Sequence, residues 1–166
     1  AGEMPMRLTS CILLTTFVLA ATPAWAASCQ KWAATVEEEE EGPTLTAHVC
    51  ATADPDATLN LSCGDAGQLR LVLVTEVGDD FPPDGNMEFK ARFEFSAGSD
   101  RQTLTLHYEA MDGIMAGEVD RKGAIVAMLK GKMPVRLVDT TGHLGPLDFA
   151  VTGADKAIVR LDKSCR

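Results

Sequence analysis

From Met87 to Phe95 apolar and charged residues alternate without a break. Met87, Phe89, Ala91, Phe93 and Phe95 fall on one side of an extended chain, and Glu88, Lys90, Arg92 and Glu94 on the other. Successive strand side chains point to opposite faces, so this stretch buries one face and wets the other, as in an antiparallel sheet with water on one side. The same period recurs in Trp32, Ala34, Val36; in Leu45, Ala47, Val49; in Leu59, Leu61, Cys63; in Leu69, Leu71, Leu73, where Val72 and Val74 make the second face apolar too; and in Leu104, Leu106, Tyr108. Asp112-Gly113 is a hairpin signal into a strand at 114–119. Further strands are predicted at 135–138 and 147–151. Two segments carry helical spacing instead. Over 122–130, Ile125, Met128 and Leu129 stand at i, i+3, i+4, stopped by Gly131 and Pro134. Over 154–165, Ile158, Leu161 and Cys165 share a face, with Thr152 as the expected cap and Asp155 in the first turn. The expected fold is mainly all-β, an antiparallel β-sandwich or open barrel with one short middle helix and a C-terminal helix.

The N-terminal segment reads as a secretory signal peptide. Met4-Pro5-Met6-Arg7 is a short basic start, an apolar run follows over 8–21, and Ala24 and Ala26 stand at −3 and −1 of a cut after Ala26. A retained membrane anchor is the alternative, but one needs about 20 apolar residues, more than this run supplies, and Thr15-Thr16 interrupt it. Cys11 ends a lipobox-like Leu8-Thr9-Ser10-Cys11 but opens the apolar run rather than following it. The expected organisation is 1–26 as signal peptide and preceding residues, and 27–166 as a single disulfide-bonded β-rich domain, periplasmic or secreted, with no stable membrane insertion after cleavage.

Four cysteines lie beyond the cut: Cys29, Cys50, Cys63 and Cys165. No Cys-x-x-Cys pair exists, which argues against thioredoxin-like chemistry and zinc ribbons. In an oxidising compartment two structural disulfides are the default. Strand parity selects among the three pairings. Cys63 shares the face of Leu59 and Leu61, and Cys165 that of the terminal helix, whereas Cys29 and Cys50 lie off the apolar faces of their segments. Cys29–Cys50 and Cys63–Cys165 are therefore expected.

Charge is uneven. The chain carries a net charge of −9, and between Glu37 and Asp84 twelve acidic residues face Arg70 alone. Such a half argues against nucleic acid, whose phosphates need Lys and Arg, and would suit a basic partner or a cation. Glu37, Glu38, Glu39, Glu40 and Glu41, with Asp79, Asp80 and Asp84, are the candidate partner-binding residues. A charge run is more often a solvated face that keeps a protein soluble. The loop around Asp79-Asp80-Phe81-Pro82-Pro83-Asp84-Gly85-Asn86, with Glu88 after it, is the best calcium candidate by its oxygens and Gly turn, but it lacks EF-hand spacing. Arg121, Lys122, Lys130, Lys132 and Arg136 surround the middle helix, either as an anion site or as a solvated basic face. Phe89, Phe93 and Phe95 could line a ligand cavity; core is the commoner role.

Catalytic patterns are missing from the letters. There is no Gly-x-Ser-x-Gly, and His48, His107 and His143 are isolated from one another, without metal-ligand spacing. No cofactor, catalytic residue or metal ligand is expected. Asn60-Leu61-Ser62 matches a glycosylation sequon inside an expected strand, where it has no role.

The pattern Cys29-Gln30-Lys31-Trp32 and His48-Val49-Cys50-Ala51 resembles the invasion-associated locus B family of small secreted proteins from Gram-negative bacteria. Leu59-Asn60-Leu61-Ser62-Cys63, together with Phe149-Ala150-Val151-Thr152-Gly153 and then Ala157, Ile158, Leu161 and Cys165, resembles the VasI (TagO)-like type VI secretion-associated proteins. The resemblance implies a periplasmic β-rich accessory or binding protein of the envelope, linked to secretion or host contact, with no established catalytic residues. Two other functions compete with it: an inhibitor of a basic enzyme such as lysozyme, and a hydrolase using carboxylates near Asp79 to Asp84. The partner expected is a protein or envelope component, basic or presenting an extended segment.

Overall fold

In the computed structural model the described residues are 29–39, 42–75 and 81–165. Their strands are β1 (Ala33–Glu39), β2 (Gly42–Cys50), β3 (Thr58–Cys63), β4 (Gln68–Val74), β5 (Lys90–Ala97), β6 (Asp100–Glu109), β7 (Ile114–Asp120), β8 (Val135–Asp139) and β9 (Leu147–Phe149). Helix α1 (Ala124–Leu129) lies between β7 and β8, and α2 (Ala154–Ser164) follows β9. All nine strands join one antiparallel sheet in the order β1-β2-β3-β4-β7-β6-β5-β8-β9, curled into a half-barrel. Of the two expected architectures this is the open barrel; the sandwich, which needs two sheets, is not formed among the described residues. The signal-peptide expectation over 1–26 lies outside the described residues. Among those residues, no helix is long and apolar enough to cross a membrane.

One face of the sheet carries the core. Leu59 and Leu61 of β3, Leu69, Leu71 and Leu73 of β4, Ala91, Phe93 and Phe95 of β5, Leu106 of β6, and Val135 and Leu137 of β8 are all buried. The register sets them side by side, Leu61 opposite Leu71 and Ala91 opposite Leu106. Gly117 of β7 stands opposite Leu71. A Cβ at Gly117 would lie 2.9 Å from Leu106 Cδ2 and 3.1 Å from the Thr105 carbonyl, so the bare position makes room for Leu106. The two helices cover this face, α1 against β5, β6 and β7 and α2 against β1, β2 and β3. They bury Ile125, Val126, Met128 and Leu129 from one, and Ala154, Ala157, Ile158 and Leu161 from the other, in one continuous cluster with the strands.

Several local expectations change. The alternation from Met87 does not all become strand. β5 starts at Lys90, and Met87 is 60 % exposed, because it belongs to the loop that crosses from β4 to the far side of β6. The last strand ends at Phe149, since residues 150–152 turn aside to meet Trp32. Thr152 does not cap α2. Gly153 is the N-cap residue and no side chain bonds the helix start. Both disulfides join the cysteines that parity selects, Cys29–Cys50 and Cys63–Cys165. Cys63 nonetheless is exposed. It ends its strand where the sheet gives out, so sharing a face with Leu61 does not bury it.

The half-barrel is tied along a seam between its two ends. Ala51, just past β2, bridges to Phe149 of β9, and the Thr52 N–H donates to the Asp148 carbonyl at 2.8 Å. Trp32, 3 % exposed, donates its backbone N–H to Thr152 O and its ring Nε1–H to Ala150 O, both at 2.9 Å. The turn into α2 requires Gly153. Its φ is +85°, and a Cβ there would sit 2.9 Å from the Trp32 carbonyl. Gly142 also has a positive φ, +81°, but open space around it. Gly142→Ala should therefore cost about 1–2 kcal/mol for the left-handed backbone alone, and Gly153→Ala clearly more. Urea unfolding of the two variants checks this; equal costs would remove the steric part of the account.

Candidate functional site

β1 is the terminal strand of the sheet, and it carries the acidic run. Its pairing with β2 sets Ala34 opposite Ala47, Val36 opposite Leu45 and Glu37 opposite Thr44. Along an antiparallel strand the N–H and C=O of alternate residues point to the same side. Trp32 N–H and the Ala34 carbonyl both point away from β2, the first to Thr152 and the second to the Arg160 guanidinium at 2.9 Å. By that parity the N–H and C=O of Val36 and Glu38 also face outward, along an edge that no described strand pairs.

The side chains along this edge are exposed. Val36 is 58 % exposed, an apolar residue left wet at the position where the alternation predicts core. Glu37 and Glu38 are exposed on the two faces beside it. Glu39 closes the strand, and Glu40 and Glu41 lie outside the described residues. At the other end of the edge, where β1 meets α2, a groove of about 190 Å³ is lined by Lys31, Trp32, Ala34, Lys156, Ala157 and Arg160. The edge thus runs from basic to acidic within a few residues.

The second acidic group is elsewhere. Because strand directions alternate across the sheet, the tip of the β1–β2 hairpin and the loop after β4 leave from opposite ends. Among the described residues, Glu37 and Glu38 therefore do not share a surface with Asp84. Asp84 is exposed in a tight turn over Pro83–Gly85, with φ +56°. That loop is anchored by Phe81, whose ring packs edge-on against Phe89 and Tyr108 with centroids 5.3 and 5.1 Å apart. Asp79 and Asp80 lie outside the described residues. Among the described residues no three His, Cys, Asp or Glu are placed to hold a metal ion.

The basic residues around α1 are largely committed to other parts of the fold. Arg121 donates to the carbonyls of Asp162 and Cys165 at 3.1 and 2.9 Å. Its Nε also lies 3.1 Å from Asp162 Oδ1, an ion pair without hydrogen-bond alignment. Arg136 holds both oxygens of Asp148 at 2.9 and 3.2 Å, and Lys130 lies 3.8 Å from Asp155. The histidines stay apart: His48 Nδ1 lies 3.4 Å from Thr35 Oγ1, His107 is exposed, and the His143 ring packs edge-on against Phe89 at 5.3 Å. The aromatic strand is core, with Phe93 and Phe95 essentially inaccessible.

Two further polar groups come together only in the fold. Asp139 is only 4 % exposed and stands on the core side of β8 opposite Phe93. Its Oδ1 accepts from Thr141 N–H at 2.8 Å and Thr141 Oγ1–H at 2.5 Å, and its Oδ2 from His143 N–H at 2.9 Å and Leu144 N–H at 3.0 Å. Burial alone would raise its pKa, but these bonds outweigh it and hold the carboxyl below its ordinary value. Asp139 therefore shapes the β8–β9 loop. On the outer face, Arg70 pairs with Glu109 and stands opposite Glu118 in the β4–β7 register. Glu118 is pushed up by burial and by the Asp65 charge, against the pull of Arg70.

The chain matches no family model, no curated protein and no solved structure.

Proposed function

We propose that this is a non-enzymatic binding or accessory protein of the bacterial envelope, periplasmic or secreted, which takes up an extended basic segment of a partner along the outer edge of β1. One observation carries this reading: the acidic residues Glu37 and Glu38 sit on the terminal strand, beside backbone groups that point away from the sheet. An unpaired edge is a template for strand addition. Its charge decides what it accepts. A second copy laid on the same edge would bring Glu against Glu, whereas a Lys- or Arg-bearing strand would be drawn in. Two disulfides fit an oxidising compartment, and the likeness to invasion-associated locus B and VasI-like proteins adds support by analogy alone. An inhibitor of a basic enzyme is a special case of the same reading, with that enzyme as the partner.

Replacing Glu37 through Glu41 by Gln should slow association with a captured basic partner about tenfold at low salt, and wild-type association should slow similarly as salt rises. The melting temperature should stay within a degree or two, since exposed strand charges contribute little packing. Association rates by surface plasmon resonance on periplasmic partners decide it. Rates indifferent to salt and to the substitutions would refute the electrostatic part. Turnover of a cell-wall or phosphoester substrate lost on replacing Asp84 would move the protein to the hydrolases.

A further inference from the structure

Resting on that reading of the β1 edge, we propose that the partner segment is a C-terminal tail: it runs antiparallel to β1, sets basic side chains beside Glu37 and Glu38, and ends with its terminal carboxylate among Lys31, Lys156 and Arg160. Three observations carry the direction and the chemistry. First, the edge is closed at one end. Residues 150–152 already occupy it at Trp32, and α2 rises immediately beyond. A strand arriving from the Glu38 side meets this barrier just past Val36, so it must stop or turn away. Second, the barrier is cationic. Lys31, Lys156 and Arg160 are exposed, and among the described residues no carboxylate lies within ion-pair distance of any of them. The Arg160 guanidinium spends one N–H on the Ala34 carbonyl, leaving the rest of its fork for a carboxylate. Third, Val36 precedes the two glutamates and shares the face of Glu38, giving an apolar contact nearest the barrier, so the tail should present two basic residues and then an apolar one before its terminus. A free N-terminus at the same barrier would bring an ammonium against three cations, so a terminal tail runs antiparallel.

The test uses synthetic peptides ending in Lys-Lys-Val, prepared with a free carboxyl terminus or an amidated one, and a third that is amidated but carries a Glu after the Val. Binding is followed by fluorescence anisotropy on the full disulfide-bonded protein. The free-acid peptide should bind about tenfold more tightly than the amide, the size of one charge-assisted hydrogen bond. The advantage should shrink in Arg160→Gln and, independently, in Lys31→Gln/Lys156→Gln, which leaves the Arg160 bond to β1 intact. Backbone amide shifts on peptide addition should centre on Val36 and Glu38. Equal affinity of acid and amide, with shifts still at Val36, would overturn this inference and leave the edge-binding function standing. Full recovery by the amidated Glu-ending peptide would assign the carboxylate to a side chain and overturn the terminal assignment. Binding of none of the three would count against the edge as a site at all.

Discussion

Replacing Cys63 and Cys165 together by serine is expected to lower the melting temperature by about 10–20 °C, the largest effect of any change proposed for this protein. The bond closes a loop of 102 residues. On the chain-entropy account that restricts the unfolded chain enough to be worth about 4–5 kcal/mol, against about 3 kcal/mol for Cys29–Cys50 and its separation of 21. A domain of this size loses roughly 3–5 °C per kcal/mol. The native fold should survive the loss. Arg121 still ties the end of α2 to the start of α1 through the carbonyls of Asp162 and Cys165, and Ile158 and Leu161 remain buried. The double serine variant should therefore give a native-like circular dichroism spectrum with an earlier melt, and the Cys29→Ser/Cys50→Ser variant a smaller shift. A change of only a few degrees for the 63–165 pair would mean that the reduced unfolded chain already keeps its ends together.

The second large effect centres on Asp139. Asp139→Ala removes four hydrogen bonds from a buried carboxylate and strands three backbone N–H groups in the β8–β9 loop. Bonds to charged groups contribute about 1.5–3 kcal/mol each but do not add, so a loss of about 3–5 kcal/mol is expected. Because the folded pKa lies below the ordinary value, the charged form is the one that stabilises. Its contribution is complete above the ordinary carboxylate range. It falls as pH drops through the unfolded value near 3.8 and is gone below the lower folded value. Asp139→Asn should thus be less stable than the parent at neutral pH, and the gap between them should narrow on acidification below about pH 4. Chemical unfolding at pH 7, 5 and 3 measures the gap. A constant gap would mean that packing, not charge, sets the cost.

How much of this could be read from letters follows physical lines. The strands were legible where water wets one face, because Glu88 to Glu94 alternating with Phe89 to Phe95 leaves the chain only one period. The disulfide pairs agree with face parity although its burial premise does not hold, since Cys63 is exposed and Cys50 is buried. Sheet order was not legible. That β4 pairs with β7, and that a loop carries the chain across to β5, depends on contacts distant in sequence. For the same reason no pattern in the run Glu37 to Glu41 could say that its strand would be an edge, or that Val36 would stay wet. Asp139-Thr140-Thr141-Gly142 does hold a turn signal, an acid whose side chain caps backbone N–H groups two residues on. Its burial, however, comes from Phe93 on a neighbouring strand and leaves no mark in the local sequence.

The seam at Trp32 bears on the order in which the molecule can assemble. Every hairpin from β2 to β8 can form from neighbouring pieces of chain, but the contacts that shut the sheet join Trp32 to Ala150 and Thr152, and Ala51 to Phe149. These are among the most widely separated contacts the chain makes, and closing so long a loop is the slow, entropically costly kind of event. The β1–β2 hairpin is local, but its Trp32 end is latched only when residues 150–152 arrive. A chain emerging from its N-terminus keeps the Trp32 side unlatched until residues 150–152 are out. A molecule cut short after Asp148 would retain most of its ladders and still have no way to lock them.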